Sequence, residues 1–402
     1  MSLVFDLSHT SHCRAQTGVQ RVCRQLYAAL AATGAAPLPV VFDRYANRWR
    51  GPDSTERALL SPRVADKPGQ RRGETWTLGQ RVRSWLKLGA EPDWAAWRGT
   101  TLLAPEIFTP RVFGAYRQLR TRLGGAAGAI FYDAVVLRHP ELSPAHSVQR
   151  FPAYLRELAE FDGIAAISCA SRDELLEHFA RLGLSDHPPV VAIPLGVEIP
   201  STAPYPPAPP AVDPRGPLVL SVGTLEGRKN HLALVEAAET LWLEGRRFRL
   251  SLVGLHRPET AGPALRRAAE LQAAGRPLEL PGPLPDAVLE THFAECRFTV
   301  YPSLYEGFGL PVAESLVRGR VCVCGPGGAL KEVAQGGGCL QVDEPNPAQL
   351  AGAMRRLLQD DIFFTHLGTE AMQRRFPTWT DYGRQIASWL ETLRPRLTAI
   401  HP

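Results

Sequence analysis

Two carboxylates and two adjacent cations have the types and spacing to act together on one substrate. Glu306 and Glu314 are separated by seven residues in the stretch PSLYEGFGLPVAES. Arg228 and Lys229 follow a buried apolar run in LVLSVGTLEGRKN. Ionised carboxylates accept hydrogen bonds from sugar hydroxyls, whereas cations and backbone N–H groups bind phosphate. These four residues indicate a pocket for a molecule with both a diphosphate and several hydroxyl groups.

The two acids lie in a predicted strand–loop–helix unit. Two β-prone apolar runs flank a stretch with helical spacing over residues 311–318. The loop 302–309 leads into the N-terminus of that helix, where unpaired N–H groups and the helix dipole favour an anion. The candidate backbone donors to a diphosphate are Phe308, Gly309 and Leu310. An ordinary βαβ unit with solvated acids would produce the same local pattern.

The two cations lie at the start of a second predicted helix, over residues 230–243. Gly223 opens the loop that leads to them. Cations at a helix N-terminus are unfavourable with the dipole by about a few tenths of a kcal/mol each. An anion such as a diphosphate would compensate Arg228 and Lys229, and an exposed pair on a solvated turn is the alternative.

Composition excludes several classes of protein. The chain has 402 residues, 45% of them hydrophobic, which favours two or three globular domains. The net charge is +5 with no block of Lys or Arg, so nucleic acid is not indicated. The N-terminal MSLVFDL lacks the features of a signal peptide, and no apolar run reaches the ~18 residues that span a bilayer. A cytoplasmic location is expected.

The seven cysteines are scattered and include no CxxC pair. Cys322 and Cys324 alternate on one face of a predicted strand. This usage favours reduced thiols and argues against a zinc site or a disulfide framework. No metal ligand set is predicted.

Strands and helices alternate on both sides of a segment that holds eight prolines. The alternation predicts an α/β protein with doubly wound parallel sheets, and the proline density predicts a semi-rigid linker. The predicted divisions are 1–199 for an N-terminal Rossmann-like domain, 200–217 for the linker, 218–376 for a C-terminal Rossmann-like domain and 377–402 for a terminal helix.

Residues 44–99 interrupt the alternation as an insertion. They contain five of the eight Trp, and twelve Lys or Arg against six Asp or Glu. Basic charge interleaved with Trp suits contact with an anionic membrane surface or with a phosphate-bearing acceptor. A satellite cluster packed on the first domain is the alternative.

Two residues of the first domain are further candidates for contact with the substrates. Gly18, in TGVQRV, lets a ligand approach the backbone, and Asp133 directly follows a predicted strand. Farther along, Ser171 and Glu174 predict a capping box for a helix over residues 172–182.

Together these motifs resemble family 4 glycosyltransferases, the retaining enzymes of the GT-B fold. The resemblance rests on the two glutamates of PSLYEGFGLPVAES, on Arg228 and Lys229 after a strand, and on GPGGALKEVAQGGG. It extends over most of the chain. The sequence departs from the family pattern at Tyr132, where His is usual, and at Thr224, where many members have another Arg.

The resemblance implies a cleft between the two Rossmann-like domains and a C-terminal helix that packs back on the N-terminal domain. Glu306 would hold a donor-sugar hydroxyl, and Glu314 the ribose hydroxyls. Two cations would grip the diphosphate in place of a metal ion. The implied catalytic residues are Glu306, Lys229, Arg228 and Asp133, and the implied donor-binding residues are Gly18, Gly223, Thr224, Pro283, Phe308, Gly309, Leu310 and Glu314.

The implied function is transfer of a hexose-type sugar, with retention, from a nucleotide diphosphate sugar resembling GDP-mannose. The acceptor would be a glycan or a lipid-linked molecule in surface polysaccharide or lipopolysaccharide synthesis, with peripheral contact to an anionic inner membrane. No cofactor is implied beyond this co-substrate. The alternatives are a catalytically inactive GT-B partner that binds a nucleotide-sugar or glycan, a sugar phosphorylase or nucleotide-sugar epimerase, and a dinucleotide-dependent oxidoreductase. No GxGxxG follows the first strand of this chain, which counts against the oxidoreductase. The sugar, base, acceptor, linkage and oligomeric state stay open.

Overall fold

The computed structural model of the protein describes residues 2–14, 18–62, 75–86, 88–200, 204–205 and 214–396. The helices and strands fall into two compact units, each built on one sheet. Unit 1 comprises residues 1–134, 145–196 and 377–402, and unit 2 comprises residues 135–144 and 197–376.

The sheet of unit 1 has seven strands in the order β3-β2-β1-β4-β5-β6-β7. The strands are β1 (Ser2–Asp6), β2 (Ala36–Asp43), β3 (Arg48–Arg50), β4 (Thr101–Ala104), β5 (Ala127–Phe131), β6 (Gly163–Ala166) and β7 (Val190–Ala192). All neighbours are parallel except β2 and β3, which form an antiparallel pair at the edge. Every residue of β5 is buried, as expected for a central parallel strand covered on both faces.

Helices cover the sheet of unit 1. They are α1 (Gly18–Ala32), α2 (Ser54–Ala58), α3 (Leu78–Trp85), α4 (Pro110–Leu123), α6 (Ala145–Leu158), α7 (Cys169–Arg181) and α15 (Trp379–Thr392); α5 belongs to unit 2. Helix α15 packs closely on α1, because a Cβ added at Gly383 would lie only 2.9 Å from the Cβ of Ala29. Thr378 caps α15 in a capping box with Asp381.

The start of α7 differs from the prediction. The helix begins at Cys169, and Ser168 is its cap, accepting a hydrogen bond from the N–H of Ser171 at 2.9 Å. Ser171 instead donates to the carbonyl of Tyr132, and Glu174 accepts from the N–H of Ala134. The predicted capping box is therefore wrong, since tertiary contacts use both of its side chains.

The sheet of unit 2 has six parallel strands in the order β10-β9-β8-β11-β12-β13. They are β8 (Leu218–Val222), β9 (Arg249–Val253), β10 (Leu278–Gly282), β11 (Cys296–Tyr301), β12 (Val321–Cys324) and β13 (Cys339–Gln341). This is the doubly wound strand order of a Rossmann fold, with its switch point between β8 and β11. The predicted fold class of two Rossmann-like parallel sheets is confirmed.

The helices of unit 2 cover both faces of its sheet. They are α5 (Val135–Arg138), α8 (His231–Leu243), α9 (Pro258–Ala273), α10 (Asp286–Glu295), α11 (Leu310–Val317), α12 (Leu330–Ala334), α13 (Pro347–Gln359) and α14 (Asp361–Gln373). The apolar core joins Val219, Phe298 and Val321 of the strands to α8, α9, α13 and α14. No helix within the described ranges has the length and apolar character that crossing a bilayer requires.

The insertion at residues 44–99 splits into a packed part and an exposed part. Trp49 donates its indole N–H to the carbonyl of Ala115 at 2.9 Å, and Trp76 stacks on His12 at 4.0 Å between ring centroids. Trp85 at the end of α3 is 79% exposed. The satellite-cluster alternative therefore describes Trp49 and Trp76 but not Trp85. Residues 63–74 and 87 of this segment lie outside the described residues.

Most of the predicted linker also lies outside the described residues, at 201–203 and 206–213. Tyr205 is described and is held by unit 2. Its N–H donates to the carbonyl of Arg318 at 3.0 Å, and its hydroxyl donates to Glu290 at 3.0 Å. The chain is therefore anchored to the second sheet before β8 begins.

Candidate active site

Two loops meet at the carboxyl edge of the unit 2 sheet. One follows β8 and ends in a single 3-10 turn, Gly227–Lys229, and the other follows β11 and leads into α11. Because β8 and β11 are parallel neighbours, both loops leave the sheet at the same edge. The N–H of Leu304 in the second loop donates to the carbonyl of Arg228 in the first at 2.9 Å. The strand order thus brings together residues almost eighty positions apart.

The cations of the first loop bind a carboxylate of the second. Arg228 Nη1 lies 2.9 Å from Glu306 Oε2, and Lys229 Nζ donates to Glu306 Oε1. Arg228 Nε also lies 2.8 Å from Glu226 Oε1. The sequence analysis required an anion to compensate Arg228 and Lys229 and assigned a diphosphate to that role. In the structure Glu306 and Glu226 compensate them.

Glu306 is only 8% exposed, yet its charge is favoured. Burial alone would raise the pKa of its carboxyl group. The charges of Lys229 and Arg228, with hydrogen bonds from Lys229 and Ser303, outweigh burial and lower the pKa to about 2. Glu306 is therefore a fixed anion at neutral pH, unsuited to act as a general acid or base.

The backbone also fixes Glu306. The residue forms a bridge with Gly328, and its carbonyl accepts the N–H of Ala329 at 2.9 Å. Gly328 has φ of +63°, and an added Cβ would lie 2.3 Å from the carbonyl oxygen of Glu306. Only glycine fits this approach. The Gly-rich turn that sequence analysis compared with the family therefore positions the carboxylate.

The start of α11 has the geometry that an anion site needs. Gly309 is its N-cap in the left-handed region, with φ of +94°, and Pro311 lies in the first turn. Phe308 is buried and Leu310 is half-buried. Glu314, one turn farther on, is 8% exposed, and its carbonyl accepts a hydrogen bond from Arg318 at 2.8 Å. Arg318 is paired in turn with Glu290.

The remaining donor-site predictions in unit 2 lie at the same edge of the sheet. Gly223 directly follows β8 with φ of +152°, and Thr224 is half-buried in the same loop. Pro283 is exposed and directly follows β10. All three follow the carboxyl ends of parallel strands.

Two predicted residues belong to unit 1. Asp133 is half-buried after β5, and Gly18 begins α1 with φ of +41°. Tyr132, beside Asp133, is 5% exposed and donates to the carbonyl of Pro105 at 2.7 Å. Its hydroxyl also lies 3.7 Å from the thiol of Cys23 on α1. The side chain that replaces the usual His is therefore part of the unit 1 interior.

The sequence analysis missed residues that border the charge cluster. The segment 135–144 packs on unit 2, with Arg138 5.4 Å from the ring centroid of Tyr305. A Cβ added at Gly227 would lie 3.2 Å from Leu142 of the same segment. No local pattern indicates that a segment next to β5 in the chain packs on the second sheet.

His231 is a second buried group next to the cluster, and the sequence analysis did not single it out. It begins α8 and is 4% exposed. Burial and the nearby charges of Lys229 and His256 lower its pKa to about 3, against an opposing effect of Glu306. The imidazole is neutral at physiological pH and adds no third positive charge beside Arg228 and Lys229.

Comparison with known proteins shows which families and structures the chain resembles. The family described as Glycosyl transferases group 1 matches residues 216–360. The serotype-specific mannosyltransferase WbdA of Escherichia coli is 26% identical over 352 residues, covering 83% of this chain and 40% of WbdA. The O-antigen chain mannosyltransferase B of Escherichia coli is 36% identical over 144 residues, covering 35% of this chain and 37% of that protein. The chain spans about 40% of the length of these curated relatives.

The solved structure of HepE from Anabaena in complex with UDP and glucose has a TM-score of 0.67 to this chain at 15% identity. The match covers 97% of this chain and 99% of HepE. It shows that the chain has the GT-B fold. The predicted resemblance to family 4 glycosyltransferases is confirmed as a resemblance, by the match of residues 216–360 to that family model and by the shared fold.

The depressed pKa of Glu306 predicts a pH dependence of stability. A carboxylate with a folded-state pKa of about 2 contributes stability that is present above its unfolded pKa of 4.5 and is lost as pH falls towards 2. Between about pH 5 and about pH 3 the wild-type protein should lose about 2 kcal/mol of unfolding free energy through this group. Urea unfolding of Glu306→Gln should show a loss smaller by that amount.

Glu295→Gln is the matched control, because Glu295 is exposed at the end of α10. Its pH dependence should parallel that of the wild type. Equal losses in Glu306→Gln and the wild type would contradict the assigned charge of Glu306.

Proposed function

We propose that the chain is a glycosyltransferase that moves a hexose-type sugar from a nucleotide diphosphate sugar to a glycan or lipid-linked acceptor. We propose further that it does so with retention of anomeric configuration and without a metal ion. The observation that carries the proposal is the convergence of Arg228, Lys229 and the N-terminus of α11 at the switch point of a doubly wound sheet. Ligands of such sheets bind at this position.

The chemistry requires stabilisation of a departing diphosphate. As the bond between the anomeric carbon and the phosphate oxygen breaks, negative charge grows on the diphosphate and positive charge on the sugar ring. Arg228, Lys229 and the N–H groups at Gly309 and Leu310 supply preorganised positive potential for the first charge. The negative charge of Glu306 suits the second. A leaving phosphate can itself accept the acceptor's proton, so this scheme needs no dedicated base.

Glu306 would have a second effect on donor binding. Its two oxygens bind Arg228 and Lys229, so these cations are already desolvated and oriented. A diphosphate must share them with Glu306, and the carboxylate then turns part of its hydrogen-bonding capacity to a sugar hydroxyl. This reconciles the ion pairs of the structure with the role that the resemblance implies for Glu306.

The donor assignment rests on the relatives and on the remaining acid. Two matched relatives are named as mannosyltransferases, which favours a GDP-mannose-like donor and O-antigen or similar surface polysaccharide synthesis. Glu314 on α11 would bind the ribose hydroxyls, and the backbone at Pro283 would contact the base. Asp133 and Gly18 of unit 1 would contact the sugar or the acceptor.

Removing a cation or its partner should abolish most transfer. We expect Lys229→Ala and Glu306→Ala to lower the turnover rate with GDP-mannose at least about 100-fold while the protein stays folded. The measurement is sugar transfer to a lipid-linked or glycan acceptor, with folding checked by circular dichroism.

Lys331→Ala is the matched control, because Lys331 is exposed on α12. It should transfer sugar at the wild-type rate. Near wild-type transfer by Lys229→Ala or Glu306→Ala would contradict the role proposed for that residue in sugar transfer. Donor binding without any transfer by the wild type would instead favour a catalytically inactive partner, an alternative to which the buried hydroxyl of Tyr132 gives some weight.

The choice of base can be measured separately. GDP-mannose should raise the thermal unfolding midpoint more than UDP-, ADP- or dTDP-sugars, since a ligand that binds only the folded state stabilises it. Glu314→Gln should reduce that shift, whereas Glu295→Gln should leave it unchanged. A larger shift with another nucleotide-sugar would show that guanine is not the preferred base. An undiminished shift in Glu314→Gln would contradict the ribose assignment.

The exposed part of the insertion supports contact with an anionic membrane. Leu78, Val82 and Trp85 follow helical spacing on one face of α3 and are 77%, 48% and 79% exposed. Arg81 and Arg83 are exposed on the same short helix. Apolar side chains flanked by cations match the interface of an anionic bilayer.

Vesicle flotation tests this contact. The wild-type protein should float with vesicles that contain phosphatidylglycerol at low salt, and less at high salt. The double variant Leu78→Ser, Trp85→Ser should bind at least about tenfold more weakly, because it removes apolar area from the face. Ile362→Ser removes an exposed apolar side chain from unit 2 and should bind as the wild type does. Equal flotation of all three proteins would contradict the proposed contact of α3 with an anionic membrane.

A further inference from the structure

Three thiols meet on one face of the unit 2 sheet. Cys322 and Cys324 alternate on β12, and Cys339 on β13 is the direct register partner of Cys322. The Sγ atoms of all three lie within 4.8 Å of one another. Cys322 and Cys324 are fully buried, whereas Cys339 is partly exposed. None of the three thiols is among the residues assigned to the proposed transfer chemistry.

The spacing of the sulfurs fits a common metal ion. An ion about 2.3 Å from each of three thiolates spaces the sulfurs roughly 3.8 Å apart in a tetrahedral arrangement. That separation is below the 4.8 Å within which all three sulfur atoms lie. Among the described residues, the group consists of these three ligands. Water on the partly exposed side of Cys339 would therefore occupy the fourth position of a tetrahedron.

The surroundings favour a divalent ion over a monovalent one. Arg374, directly after α14, donates to the carbonyls of Gly337 and Val333 at 2.8 Å each, and its charge acts on Cys339. Glu370, which accepts the N–H of Gly338 at 2.9 Å, acts on Cys339 with the opposite charge. Three thiolates and a divalent ion carry a net charge of −1, whereas a monovalent ion would leave −2, which is more costly in a buried site.

We propose that Cys322, Cys324 and Cys339 form a binding site for one thiophilic divalent cation, with Zn²⁺ as the fitting ion. Binding replaces the three thiol protons with three sulfur–metal bonds, so three protons are released for each ion and no electron is transferred.

The position of the site gives it a structural consequence. Gly338, beside Cys339, packs on α11, because an added Cβ would lie 2.7 Å from the side chain of Leu316. Tyr301 on β11 lies beside Cys322 and receives a hydrogen bond from Ser315 of α11 at 3.2 Å. A cation bound to both β12 and β13 would therefore stabilise the part of the sheet against which α11 packs.

The test uses the reduced full-length chain after removal of metal with a chelator. Co²⁺ should bind with a stoichiometry of about one per chain and produce the sulfur-to-cobalt charge-transfer absorption of thiolate ligands. Zn²⁺ should displace it and raise the thermal unfolding midpoint. Cys339→Ser should lose the absorption, and Cys169→Ser, which alters an exposed thiol elsewhere, should keep it.

Cys322→Val provides a second variant, since it preserves an apolar side chain in the strand, and it should also lose the absorption. The proposal is overturned if the wild type shows no charge-transfer band, or if Cys339→Ser and Cys322→Val bind Co²⁺ as the wild type does. It is equally overturned if the reduced protein takes up no cation but air converts two of the three thiols to a disulfide.

Discussion

The site of unit 2 depends on one buried carboxylate that is shared by two adjacent cations. Arg228 and Lys229 are neighbours in the chain and would repel each other at the start of a helix whose dipole also disfavours them. Glu306 offsets both charges. It can do so only because β8 and β11 are adjacent in the sheet, and because Gly328 lets the backbone approach its carbonyl. The strand order, the loop after β11 and the turn at Gly328 together position this contact.

The same contact orients the two cations. A buried cation left without its partner is strongly destabilising, whereas Arg228 and Lys229 are each oriented by the carboxylate that they bind. In the proposed reaction a diphosphate would share these cations with Glu306, and their positions are set before it binds. Neutral His231 beside them limits the positive charge of the cluster to the two cations that Glu306 can balance.

Local sequence patterns predicted many of the strands and helices of unit 2, but they failed where contacts between distant residues determine the structure. Strands β8 and β12 begin and end where their apolar runs predict, since buried parallel strands read directly from sequence. The three-residue strand β13 has too short a run to be recognised, so Cys339 was not placed beside Cys322. The candidate cations Arg228 and Lys229 were chosen from charge and spacing. Their pairing with Glu306 was not predicted, because spacing carries no information on which loops meet.

Unit 1 shows the same limit. Ser168 and Ser171 both suit a helix cap, and the contacts of Tyr132 and Ala134 select between them. The tryptophans of the insertion look alike in sequence, yet Trp49 finds a carbonyl partner on α4 and Trp85 stays exposed. Burial of this kind is a property of the assembled unit.

Neither unit is a continuous piece of chain, and this affects how the protein is made. Helix α15, which covers α1 at Ala29, follows all of residues 197–376. A ribosome adding about 5–20 residues per second needs roughly 10–40 s to synthesise those 180 residues. During that interval the apolar face of α1 has no helix to cover it. The second sheet can therefore form before the first unit is complete, and the nascent first unit exposes this face of α1 until its last segment is synthesised.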